Sequence, residues 1–170
     1  MKRDKLINIS VAGLFAAIIC LATSLIKIPS PATSGGYIHP GDAFILCAVY
    51  LTGIYGIPAA IIGSAIADIL AGYMIYAPAT IIIKGIMALA VYLILKKSKK
   101  KKIAFVFSAV ISEIIMLCGY FIYEAFVFNP GAALAGISFN LIQAVGSIII
   151  AAALLPIIVY VKKSITNYYL

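Results

Sequence analysis

"YIHPGDAFILCAVYLTGIYGIPAAIIGSAIADILAGY" occupies residues 37–73, and its reading decides the fold. From Ala43 to Leu70 it holds one charged residue, Asp68, and it is interrupted only by "GIYGIP" at 53–58. Gly53, Gly56 and Pro58 are turn formers, and the apolar residues on either side show the length and composition of buried or lipid-facing helices. Two short apolar helices joined by a tight turn are therefore expected.

The rest of the chain agrees with a membrane setting. It has 170 residues, of which 65% are hydrophobic and 11% charged. A soluble domain carries roughly twice that charge. Apolar runs of about 20 residues read as spanning helices, and six are expected: 5–27, 42–54, 57–72, 78–95, 103–127 and 134–161. The fold class is thus an all-α integral membrane bundle forming one domain over 1–170. "KRDK" and the following apolar run resemble the start of a signal peptide, but residues 6–26 exceed the usual apolar length, so they form the first span.

The net charge of +8 is placed unevenly. All but Lys27 and Lys84 of the thirteen cations lie in "KRDK" (2–5), "KKSKKKK" (96–102) and Lys162–Lys163. Basic clusters beside spans mark cytoplasmic loops, which places both termini inside and residues 28–41, 73–77 and 128–133 outside. A nucleic-acid interface would need a soluble domain with exposed aromatics on a basic face, and none is present. Cys20, Cys47 and Cys118 have no metal or redox spacing and read as packing residues.

The chain's one histidine, His39, and the carboxylate of Asp42 sit in the first outer turn. Asp42 follows Gly41 where a cap belongs, since a carboxylate there accepts orphan amide hydrogens. His39 is either a solvated loop residue or part of a site. Further polar groups recur near the outer helix ends, where each needs a partner or a task. Thr80 and Lys84 share a face, Tyr120 and Glu124 another with Glu113, and Asn140, Gln143 and Ser147 a third. Asp68 and Lys84 lie at matching depth, and either neutralise each other or meet ligand. Tyr37, Tyr73, Tyr76 and Tyr123 suit either an interfacial belt or a pocket wall. Together these faces point to a small-molecule pocket open to the outside.

The first helix differs. Ser10, Ala12, Gly13, Ala16, Ala17, Cys20 and Ser24 cover an arc of about 160°, a surface that permits close helix approach. It docks either within the chain or on a second protein. No phosphate-binding loop, zinc-ligand set or activated nucleophile is present, so neither an enzyme nor a resident metal or cofactor is expected.

Residues 37–88 resemble the substrate-binding S component of energy-coupling factor (ECF) vitamin transporters. The resemblance is carried by "GD" at 41–42, the Gly53–Gly56 turn, "GSAIADILAGY" at 63–73 and "P-x-T-x-x-x-K-G" from Pro78 to Gly85. It implies a vitamin or precursor captured from outside, with pyridoxine-like and hydroxymethylpyrimidine-like ligands nearest. It also implies partners: a transmembrane T component, met through Ala12 and Ala16 within the small arc that includes Gly13 and Ala17, and two cytoplasmic ATPases. The site residues it points to are Tyr37, His39, Tyr76, Thr80, Lys84, Tyr120, Glu124, Asn140 and Gln143, with Asp42 and Asp68 as structural polar groups. The competing expectation is a self-sufficient carrier or channel coupled through Asp68, Glu113 or Lys84.

Overall fold

The computed structural model describes residues 2–29 and 37–169, with side chains over 5–29 and 37–165. Six α-helices follow one another: α1 (Lys2–Ser24), α2 (Gly41–Thr52), α3 (Gly56–Ala71), α4 (Ala77–Lys97), α5 (Lys101–Val127) and α6 (Pro130–Tyr169). Strands β1 (Ile28–Pro29) and β2 (Tyr37–Ile38) pair antiparallel, Ile28 opposite Ile38 and Pro29 opposite Tyr37. The segment between α1 and α2, where Pro29, Pro31, Gly35 and Gly36 suit an extended loop rather than a helix, thus carries a two-residue ladder; residues 30–36 lie outside the described residues.

Among the described residues, five helical stretches are long and apolar enough to cross a membrane: 5–24, 41–71, 77–97, 101–127 and 130–165. Length alone makes 41–71 one stretch. Geometry divides it. Gly53 has φ +63°, and a Cβ on Gly56 would stand 2.6 Å from the Cα of Val49, so α3 folds back tightly against α2. Their 12 and 16 residues fall short of the roughly 20 that a perpendicular span requires.

α2 lies at the centre of the bundle, packed by α1, α3, α4 and α6. It is apolar all round, as a fully enclosed helix should be, and Ile45, Leu46, Cys47, Ala48 and Val49 are buried. Phe15 and Ile19 from α1, Val91 from α4 and Phe105 from α5 complete this core. The outside is also apolar: Leu14, Leu21, Ile62, Ile82, Phe107 and Ile149 are exposed, a pattern suited to lipid contact.

Helix ends follow local chemistry. Gly72, left-handed at φ +86°, closes α3, and Pro78 sits in the first turn of α4. Asn129 Oδ1 accepts the Ala132 amide at 2.9 Å at the start of α6, with Pro130 following. α6 starts four residues earlier and runs eight further than expected from 134–161, passing through Pro156. The lysine pair at 162–163, read as a basic cluster beside the last span, lies inside the helix.

The small arc of α1 is divided. Ala12 is buried, and Ala16 faces α3, where a Cβ on Gly63 would lie 2.5 Å from the Ala16 carbonyl oxygen. Small residues here bring two backbones of the same chain together. Gly13 and Ala17 remain exposed.

Candidate functional site

Asp42 opens α2, and its carboxylate does not cap the helix. Pro40 holds the cap position with no side-chain bond there, while Asp42 points inward, fully buried. Its Oδ1 accepts from Lys84 Nζ at 2.6 Å and its Oδ2 from Gln143 Nε2 at 2.9 Å. Of the two readings of Asp68 and Lys84, mutual neutralisation gives way to an Asp42–Lys84 pair. Matching depth alone could not choose between two aspartates; the central position of α2 does.

Gln143 has a second task. Its Oε1 accepts the His39 backbone amide at 3.1 Å, so one α6 side chain joins the first turn of α2 to the segment before it. His39 in turn accepts the Gly41 amide on Nδ1 at 3.1 Å. That acceptor role assigns the proton of the neutral ring to Nε2. Burial pushes the imidazole down to about 4; nearby Asp42 opposes this and Lys84 reinforces it. His39 is buried, not solvated. It is held neutral.

Tyr37 on β2 donates to Asp68 Oδ1 at 2.8 Å. Burial raises its phenol, and the charge of Asp68 with this hydrogen bond raises it further. Asp68 Oδ2 has no hydrogen-bond partner among the described residues. Tyr37 also packs on Tyr73 and His39, at ring separations of 4.5 and 5.3 Å. Tyr76 is buried and donates to Glu124 Oε1 at 3.2 Å. Tyr37 and Tyr76 are thus committed to carboxylates rather than to an interfacial belt, whereas Tyr123 is half-buried and bonds the Ile75 carbonyl.

These side chains enclose one polar cavity. Tyr37, His39, Asp68, Tyr76, Tyr120, Glu124, Asn140 and Gln143 line a cavity with about 30 Å³ of free space. Thr80 and Lys84 are not in its wall. Both touch Tyr120, Thr80 through a 2.8 Å hydroxyl contact and Lys84 with its ammonium 5.3 Å from the ring centroid. Asp68, read either as a structural polar group or as meeting ligand, faces the cavity. Glu113 lies outside the wall, buried, with neither carboxylate oxygen hydrogen-bonded among the described residues.

The wall presents donors (His39 Nε2, the Asn140 amide) beside acceptors (Asp68 Oδ2, Glu124) and the rings of Tyr37, Tyr76 and Tyr120. Such a set can clamp a flat, polar heterocycle between ring faces and hydrogen bonds. Among the described residues no group of His, Cys, Asp and Glu could hold a metal ion.

A lipid-facing helical bundle with a polar cavity near one end defines a membrane protein that binds a small solute. The family described as ECF-type riboflavin transporter, S component, matches residues 4–162, and this chain belongs to it. It is a multi-pass cell-membrane protein of vitamin uptake, the component that binds a vitamin or precursor. A protein of Pyrococcus woesei, described as an uncharacterized protein in the gap 3' region, is 34% identical over 137 residues, covering 80% of this chain and 90% of its own. The thiamine precursor transporter HmpT of Lactococcus lactis subsp. cremoris is 27% identical over 161 residues, covering 93% and 91%.

Proposed function

We propose that this chain captures a single-ring vitamin or precursor, hydroxymethylpyrimidine-like or pyridoxine-like, from outside the cell. It would do so as six membrane helices with both termini cytoplasmic, and pass the ligand on through a transmembrane T component driven by two cytoplasmic ATPases. The observation that carries the ligand reading is the cavity. Its free space, about 30 Å³, is far below the roughly 300–1,000 Å³ of small-molecule sites, so a ligand must displace side chains to enter, and one ring demands less displacement than a fused tricycle such as riboflavin. Asp68 and Glu124 suit the exocyclic amine or hydroxyl hydrogens of such a ring, and the name of the Lactococcus relative points the same way.

The test is a titration of the purified protein with hydroxymethylpyrimidine, pyridoxine and riboflavin. A single-ring compound should bind most tightly, and Asn140→Ala should weaken it several-fold by removing hydrogen bonds worth about 1–3 kcal/mol. Tight riboflavin binding with no response to either single-ring compound would overturn the ligand reading. For the partner, the exposed Gly13 and Ala17 are the available part of the small arc. Gly13→Trp and Ala17→Trp should abolish cellular uptake and leave ligand affinity intact. Normal uptake in both would place the T component elsewhere.

A further inference from the structure

Glu113, near the middle of α5, is a carboxyl that the capture of a ligand leaves without a task. It is 2% exposed, and neither of its oxygens has a hydrogen-bond partner among the described residues. Asp42, Asp68 and Glu124 each accept a side-chain hydrogen bond. An ionised carboxyl with no donor, enclosed in an apolar bundle, is among the costliest groups that a fold can hold. The neutral acid is what these surroundings accept.

The packing of α4 on α5 puts this group within the field of one cation. A Cβ on Gly119 would stand 2.8 Å from Ile83 Cγ1, so Lys84, the next residue of α4, leaves its helix about level with Gly119. From there its stem turns toward the cavity end, where the ammonium meets Tyr120 and Asp42. Glu113 lies six residues back along α5 from Gly119, about 9 Å the other way. The charged groups it feels are Asp42 and Lys84, and Lys84 in turn feels both carboxyls. A lysine stem is flexible along four carbons. The side chains on the way are Met87, one turn beyond Lys84, and Met116, one turn beyond Glu113, which share one buried cluster. Methionine repacks more readily than a branched side chain.

We propose that Glu113 is a buried proton-holding site and the second acceptor for Lys84, whose ammonium alternates between Asp42 and Glu113. While Lys84 is on Asp42, Glu113 holds the proton. When the ammonium turns to Glu113, the O–H bond of Glu113 breaks and one forms on Asp42. Lys84 stays charged throughout, so each arrangement has one buried cation paired with one buried carboxylate, and neither strands an ion. The arrangements differ at the cavity, because in the second Lys84 leaves the ring of Tyr120, which is part of the cavity wall.

The test uses infrared difference spectra and denaturant unfolding of the detergent-purified full-length protein at neutral pH. Subtracting the Glu113→Gln spectrum from that of the wild type should reveal the C=O stretch of a protonated carboxyl. The same subtraction in an Asp42→Asn background, which keeps the shape and an acceptor for Gln143, should reveal the bands of an ionised carboxylate instead. Glu113→Gln should shift the unfolding midpoint little in the wild-type chain and several times as far in Asp42→Asn, where it strands Lys84. An ionised Glu113 in the wild type would overturn the held proton. A Glu113 still protonated in Asp42→Asn, or equal midpoint shifts in the two backgrounds, would overturn the second acceptor. Should Asp42→Asn not fold, Asp42→Ser takes its place in both measurements. Failure of both to fold would also overturn the proposal, since a Lys84 that finds Glu113 should keep the bundle together.

Discussion

Lys84 and Lys96 stand on one helix, about 18 Å apart along its axis, and their surroundings differ in kind. Lys84 is fully buried, ion-paired with Asp42 and packed over Tyr120. Lys96 is exposed, with a ring beside it and no carboxylate paired with it among the described residues. The same contrast divides the molecule. At the cavity end Asp42, Asp68, Lys84 and Glu124 are enclosed and hydrogen-bonded to named partners, with Lys27 exposed at the rim, whereas at the other end a larger number of lysines stands in water. Position, not charge, decides what each one contributes: an enclosed ion cannot lose its partner cheaply, and a solvated one has little to lose.

The largest effect should come from breaking the enclosed pair. Lys84→Met leaves the Asp42 carboxylate in an apolar interior, and removing one partner of a buried pair costs about 3–5 kcal/mol. Asp42→Ala should cost a similar amount. The double variant Asp42→Asn/Lys84→Met leaves no charge at the pair and should recover most of the loss. Denaturant unfolding of the detergent-solubilised protein would measure all three. A double variant no more stable than either single one would show that the pair positions the bundle by something other than charge compensation.

Gln143 comes next, because it holds two buried groups at once. Gln143→Ala removes the donor to Asp42 Oδ2 and the acceptor for the His39 amide, at about 1–3 kcal/mol for unsatisfied buried groups. Gln143 and Lys84 share Asp42, so their effects should not add. Strict additivity in a double-mutant cycle would argue that the three do not act as one network.

His39 sharpens the comparison through pH. Its imidazole is pushed from an ordinary 6.5 down to about 4. Above 6.5 it is neutral in both folded and unfolded chains. Between 6.5 and 4 the unfolded chain binds a proton that the folded one refuses, so stability falls as the pH is lowered, by up to about 1.4 kcal/mol per unit. His39→Asn keeps an acceptor in reach of the Gly41 amide, as an Asx turn does, and removes the titration. The slope of stability against pH over this range should flatten in that variant. An unchanged slope would mean that His39 is already charged, or solvated, in the folded protein.

Much of this was legible before the structure. Helical periodicity put Tyr120 with Glu124 and Asn140 with Gln143 on inward faces, and the cavity contains all four. Periodicity is silent across a turn, however. It could not show that Asp42 swings inward rather than capping its own helix, nor that Tyr37 reaches across to Asp68. Depth was the wrong guide for Lys84, because two aspartates lie at similar depth and only the packing of α2 selects one. The small arc of α1 was visible as a pattern. Whether Ala12 and Ala16 meet their own chain depends on Gly63, more than forty residues away, which no local rule reaches. The end of α6 was misplaced for another reason: lysines mark where an apolar layer stops, and a helix may continue through water unmarked by hydropathy.

The smallest effect should be at Lys99, in the short connection between α4 and α5, where its side chain is exposed. Lys99→Gln removes a full positive charge, as Lys84→Met does. In water the ammonium is already solvated in both folded and unfolded chains, so its loss cancels between them, and surface changes away from caps and networks are nearly neutral. The unfolding midpoint should stay in place. Any change should be of orientation rather than stability, and a single lysine in a cluster of six between 96 and 102 leaves enough charge to hold that loop on its side. A midpoint that fell as far as in Lys84→Met would break the comparison at its root. It would show that the lysine-rich end is a packed, mutually dependent structure, and that exposure there does not measure how much each charge supports the fold.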